Sequence, residues 1–162
     1  MTRLAPLVLT IPGLAAGLLA SCGYQIGGLY DDYHAGVRVA VFDNLTERRT
    51  HEFDLTHAVV REMASRGLRV NVPSAPYTLT GRIRDMRTPS VVEGETDRVL
   101  VGSLRIRVEI ELSDAQGNLV WKDGKSESVS FTSTRGESLE SALREALDRL
   151  ARWIVTHFEK EW

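Results

Sequence analysis

Leu104-Arg105-Ile106-Arg107-Val108-Glu109-Ile110-Glu111-Leu112 alternates without a break between apolar and charged side chains. A period of two belongs to a β-strand, so one face of this stretch is apolar and the other carries Arg105, Arg107, Glu109 and Glu111. One covered face and one wet face is the pattern of an antiparallel sheet. The alternation predicts a strand over residues 99–112. A second such stretch covers 77–87, with Tyr77, Leu79, Gly81 and Ile83 on one side and Thr78, Thr80, Arg82 and Arg84 on the other. A register that sets Ile83 against Gly102, Leu79 against Ile106 and Tyr77 against Val108 keeps every inward residue opposite an inward partner. That register gathers Arg82, Arg84, Arg105 and Arg107 on the open face. Between the two strands, residues 88–98 read as a hairpin loop longer than the usual length of about two to five residues.

Downstream, the turn Asp114-Ala115-Gln116-Gly117-Asn118 leads to a third strand, with Trp121 near Ile110. A bulge is expected at Asp123-Gly124 before Val129 and Phe131 resume the strand. Leu139, Leu143, Ala146, Leu147, Leu150, Ile154 and Phe158 then form an apolar stripe at helical spacing, with Thr134 or Ser138 as its cap. Upstream, Val37-Arg38-Val39-Ala40-Val41-Phe42 reads as a strand stopped by Asp43-Asn44. Residues 50–66 read as a helix on Leu55, Ala58, Val59 and Met63, stapled by Phe53 and ended by Gly67. Leu68-Arg69-Val70-Asn71-Val72 reads as a short strand parallel to the first. The fold class is therefore α+β, a two-layer sandwich in β-α-β-β-β-α order. Its mixed, mostly antiparallel sheet carries two α-helices on one face.

The chain has 162 residues, 20 Lys+Arg and 22 Asp+Glu, a formal charge of −2 and 43% apolar residues. Those values fit one globular domain and exclude a general nucleic-acid binder, which shows a clustered basic excess. The single cysteine, Cys22, excludes an intrachain disulfide and a cysteine-based zinc site. His34, His51, His57 and His157 show no metal-ligand spacing. No HExxH, GxSxG, Walker or GxGxxG pattern occurs, so no catalytic residue, metal or bound cofactor is assigned.

Cys22 follows Met1-Thr2-Arg3 and an uncharged apolar run from Leu4 to Ala20, broken by Pro6 and Pro12 and closing on Leu19-Ala20-Ser21. A short basic start, an apolar middle and small residues at the exit mark a secretory signal. The run has 17 residues and no charged cluster after it, short of the about 20 a spanning helix needs. Leu-Ala-Ser-Cys resembles the lipobox of bacterial lipoproteins. The resemblance implies cleavage before Cys22 and an N-acyl diacylglycerol on that residue, and Gly23 after the cysteine implies sorting to the outer membrane. On this reading residues 1–21 are a signal peptide, 22–36 a lipidated tether rich in Gly and Tyr, and 37–162 the sandwich domain. Loss of Arg3 with the signal leaves 19 Lys+Arg against 22 Asp+Glu.

The mature order, with Val39-Ala40-Val41-Phe42-Asp43-Asn44-Leu45-Thr46, then Glu52-Phe53-Asp54-Leu55-Thr56-His57-Ala58-Val59-Val60, Leu79-Thr80-Gly81-Arg82-Ile83 and Asp97-Arg98-Val99-Leu100, resembles the LPS-assembly lipoprotein family LptE. The resemblance implies a lipid-anchored protein on the periplasmic side of the outer membrane. It also implies a partnership with the LptD β-barrel translocon and delivery of lipopolysaccharide to the cell surface. It makes Arg82, Arg84, Arg105 and Arg107 candidate contacts for lipid phosphates, through bidentate charge-assisted hydrogen bonds. The same arginines can instead pair with Glu109 and Glu111 across strands. The tip of the 88–98 segment, Val91, Val92, Glu93, Gly94 and Glu95, is the candidate partner contact. The strand-then-helix start also resembles CsgG-like and LpoB-like lipoproteins, which implies a secretion pore or a regulator of a cell-envelope synthase. Arg and Glu on the polar strand faces disfavour the pore.

Overall fold

In a computed structural model the described residues are 31–47, 50–93 and 99–159; Cys22, Gly94 and Glu95 lie outside them. The strands are β1 (Val37–Val39), β2 (Asp43–Asn44), β3 (Tyr77–Arg87), β4 (Ser90–Glu93), β5 (Val99–Ser113) and β6 (Leu119–Thr132). The helices are α1 (His51–Ser65), between β2 and β3, and α2 (Leu139–Thr156), after β6. β1 and β2 lie one after the other along the same edge of β3, both parallel to it. β3 and β4 together pair antiparallel with one side of β5, and β6 pairs with the other side. The expected α+β order and the layer of two helices over a mixed sheet are present.

The two helices run the same way. Arg61 of α1 meets Asp148 of α2 at 3.7 Å, and Arg66, just past α1, pairs with Glu159. Leu55, Val59 and Met63 from α1 and Leu150, Ile154 and Val155 from α2 are fully buried against Leu79, Ile83, Ile106, Val108, Ile110 and Leu112 of the sheet. Burial of each such side chain stabilises the fold by about 1.5–3 kcal/mol. Ser138 caps α2: its hydroxyl accepts from the Ser141 N–H, while the Ser141 hydroxyl accepts from the Ser138 N–H. Gly67 ends α1 at φ 83°, and Leu68 N–H reaches the Met63 carbonyl, closing a Schellman turn that buries Leu68. Phe53 is half exposed and is not among the core side chains.

The register differs from the expected one by six residues. Leu79 lies opposite Leu112 and Ile83 opposite Val108. An even shift leaves every side chain on its face, which is why alternation alone could not set it. The cause is β4. Ser90–Glu93, read from sequence as part of a loop, is a strand that takes the start of β5 as its partner and pushes β3 further along. Residues 68–72 form no strand; Val70 makes one parallel bridge to Val37, and the Asn71 side chain accepts the Val39 N–H at 2.8 Å. The parallel partner of β1 across α1 is β3 instead.

β6 also departs from expectation. Its ladder runs unbroken past Asp123 and Gly124, and the irregularity falls earlier, between Leu112 and Ser113, where Val120 is the extra residue. Trp121 therefore faces Leu112, not Ile110. Inward along β6 stand Asp123, Lys125 and Glu127, opposite the buried Ile110, Val108 and Ile106. They clasp α2: Asp123 meets His157 at 2.9 Å, Glu127 meets Arg149 at 3.2 Å, and the Lys125 ammonium sits 5.8 Å from the Trp153 ring centre.

The hydrogen bond from His157, and after it the Gly124 N–H, holds the Asp123 carboxyl below the usual aspartate range. Asn44 does the same for Glu52, and Asn118 for Asp114. A depressed carboxyl contributes stability above its unfolded pKa and loses it as pH falls through the folded one. Asp123→Asn is accordingly expected to flatten the acid side of a stability–pH profile, below about pH 4, leaving a smaller drop between pH 5 and pH 3. Urea midpoints across that range check this; a profile parallel to wild type rejects it.

Candidate functional site

The open face of the sheet is where the predicted arginines lie, and β3 decides how they are arranged. Its ladder slips between Ile83 and Asp85, leaving Arg84 as a bulge. The extra residue reverses the alternation beyond it, so Met86 packs inward on the core and Asp85 and Arg87 turn outward. Opposite one another across β3 and β5 stand Arg82 and Glu109, Asp85 and Arg107, and Arg87 and Arg105.

The four expected arginines therefore divide into two pairs. Arg82 meets Asp43 at 3.6 Å, and Arg84 meets Glu109 at 2.6 Å. Both are satisfied locally, as the cross-strand alternative foresaw for Glu109. Arg105 and Arg107 are exposed and make no ion pair among the described residues. Their neighbour is Arg87, absent from the sequence-based set, whose guanidinium meets Asp85 at 2.8 Å while three-quarters exposed. An exposed pair of this kind is worth about 0–1 kcal/mol and exchanges readily for a better anion.

Arg84, Asp85, Arg87, Arg107 and Glu109 line one shallow depression at this end of the face, and Arg105 borders it. Around it stand four guanidinium groups against two carboxylates, on a chain whose total charge is −2. Arg87 and Arg105 face each other directly, and like charges so placed destabilise a sheet unless an anion lies between them. Arg107 and Arg105 have Ser126 and Ser128 as their partners on β6, small hydroxyls that leave the guanidinium groups reachable.

The other depression of note runs between the helices and is lined by Asp54, His57, Arg61, Glu140, Arg144 and Asp148. Its charges are mixed and partly paired, Arg61 with Asp148 and Arg144 with Glu140. Among the described residues no three His, Cys, Asp or Glu side chains come together as a metal site. Val91, Val92 and Glu93 belong to β4, whose backbone pairs with β5, so three of the five residues of the expected partner-contact tip are sheet.

A lipopolysaccharide-assembly family model, LptE, matches residues 35–158, from just before β1 through the last turn after α2. The chain belongs to that family. Solved structures share the fold of this LptE-family domain at low identity. The PelC dodecamer of Paraburkholderia phytofirmans is 16% identical at a TM-score of 0.56, covering 80% of this chain and 91% of that one. A putative lipoprotein from Caulobacter crescentus is 19% identical at 0.52, covering 81% and 92%. Rare lipoprotein B from Shewanella oneidensis is 12% identical at 0.50, covering 74% and 92%. No curated protein matches the chain.

Proposed function

We propose that the chain is an outer-membrane lipoprotein, anchored through Cys22, that partners an LptD-like β-barrel and helps it pass lipopolysaccharide to the cell surface. The family match across the whole folded domain carries this reading. The open sheet face supports it chemically. Arg87, Arg105 and Arg107 form a basic cluster with spare hydrogen-bond donors, suited to a phosphorylated glycolipid that offers planar, multiply charged acceptors. Arg82 and Arg84 serve as a rim held by Asp43 and Glu109.

Affinity purification from detergent-solubilised outer membranes tests the partnership. A large β-barrel is expected in the eluate; a cell-wall synthase in its place overturns the reading in favour of an LpoB-like regulator. Because β4 is paired backbone, the partner-contact segment is best tested by substitution, not deletion. Glu93→Ala with Glu95→Ala should weaken barrel recovery while circular dichroism stays unchanged. Full recovery of the barrel removes this segment from the interface.

A further inference from the structure

One end of the sandwich collects the point where the chain leaves toward Cys22. Tyr33 packs edge-on against Tyr77 at 5.2 Å and Phe158 at 5.0 Å, and its hydroxyl accepts the Trp121 indole N–H at 3.3 Å. The exit is thus pinned beside the start of β6. Asp31 is nine positions after Cys22, a reach of at most about 32 Å when fully extended. On the lipoprotein reading, which this inference rests on, a bilayer lies within that reach of the pinned end.

Leu119 and Val120 open β6 at this same end, just past the 114–118 turn. They are 53% and 45% exposed. Val120 is the bulge residue, held out of the ladder between Leu119, opposite Ser113, and Trp121, opposite Leu112. Exposed cations lie on the same face: Lys122 follows on β6, opposite Glu111 of β5, and Arg38 of β1 stands in the row of Leu119, with Thr78 of β3 and Ser113 of β5 between them. Neither makes an ion pair among the described residues. Asp114, the carboxylate nearest the turn, is spent within it, accepting from the Gln116 and Asn118 backbone N–H groups and the Asn118 amide. Adjacent exposed apolar side chains with a lysine two residues on match the boundary between acyl chains and headgroups.

We infer that the β5–β6 hairpin end is a second, non-covalent membrane contact, with Leu119 and Val120 entering the lipid interface beside the anchored N-terminus. A short tether favours such a contact, because it holds a weak surface at high effective concentration near the bilayer. The contact fixes which end of the domain faces the membrane and points the far end, with Arg87 and Arg105, away from it.

The test uses the full-length lipidated protein in vesicles of zwitterionic and anionic phospholipid. Acylation occupies the Cys22 thiol, so Leu119→Cys supplies the only free one for an environment-sensitive fluorophore; Ser128→Cys, toward the opposite end, is the control. The label at 119 is expected to shift to the blue and lose most of its emission when lipid-borne quenchers are included, while the label at 128 keeps its emission. Equal emission at both sites on protein whose acyl mass is confirmed overturns the inference alone. A blue shift without lipid quenching also overturns it, since that signals contact with another protein surface. Absence of acyl mass on Cys22 overturns the lipoprotein reading and this inference with it.

Discussion

Gly81→Ala is expected to lower stability by about 3 kcal/mol, the upper end of what forcing one extra methyl into a packed core produces. A Cβ built on Gly81 lies 2.4 Å from the Phe42 ring, and its three nearest neighbours are all atoms of that ring. The ring is 2% exposed, and its backbone is tied down as well: Phe42 N–H donates to Thr56 Oγ1, which in turn donates to the Glu52 carbonyl of α1. Neither partner has room to yield. In a domain of this size the loss corresponds to a drop in Tm of roughly 10 °C. The attribution is checked by a double-mutant cycle. Phe42→Leu destabilises by itself, yet it should make Gly81→Ala nearly harmless, a coupling above about 1 kcal/mol. Additive losses would mean that the glycine is needed for its backbone and not for the space above it. Gly102 supplies the contrast. A Cβ there meets Phe131 at 2.3 Å, but Phe131 is only partly buried at the end of β6 and can swing aside, so Gly102→Ala should be milder.

Arg105→Thr should move stability and ligand affinity in opposite directions. Threonine suits a strand, and its introduction removes the like-charge pair with Arg87, so the urea midpoint should hold or rise slightly. Affinity for a bis-phosphorylated glycolipid should fall roughly tenfold, since a hydrogen bond from a charged group is worth about 1.5–3 kcal/mol and 1.4 kcal/mol is a factor of ten. Arg107→Ser in the same chain should deepen the loss to about a hundredfold. Arg105→Lys should recover only part of the affinity, because an ammonium lacks the planar fork. Arg82→Thr, by contrast, breaks the contact with Asp43 and should leave affinity nearly unchanged. Equal effects of Arg82 and Arg105 would reduce the face to a diffuse positive field with no site in it.

The alternation in 104–112 and the stripe in 139–158 revealed both layers of the sandwich, because a buried face writes itself into the chain at a fixed period. Register did not write itself in the same way. A six-residue slip preserves every inward and outward assignment, and only the pairing of β4, in a stretch rich in Thr, Pro, Ser and Gly, distinguishes the two arrangements. The site was half legible for a related reason. Arg84 and Arg82 were placed on the correct face, with Glu109 offered as a carboxylate partner but Asp43 not, and Arg87 was overlooked. A signal for it exists: in Ile83-Arg84-Asp85-Met86-Arg87 the apolar residues are three apart, which a regular strand cannot accommodate without a bulge. At β6 the opposite error arose. A break was expected at Asp123-Gly124, yet the ladder is regular there and the inward charges meet Arg149 and His157 instead of solvent.

Those inward charges bear on the life of the protein before it meets any partner. β6 is a 14-residue strand at the margin of the sheet, paired on one side only among the described residues. Such a strand invites a second molecule to add on, above all while many copies are simultaneously unpaired during folding. Asp123, Lys125 and Glu127 make that addition costly, since an incoming strand would have to set its own apolar face beside charges already committed to His157, Trp153 and Arg149. Replacing them with valine would give a more hydrophobic, better-packed strand on paper and a protein that polymerises.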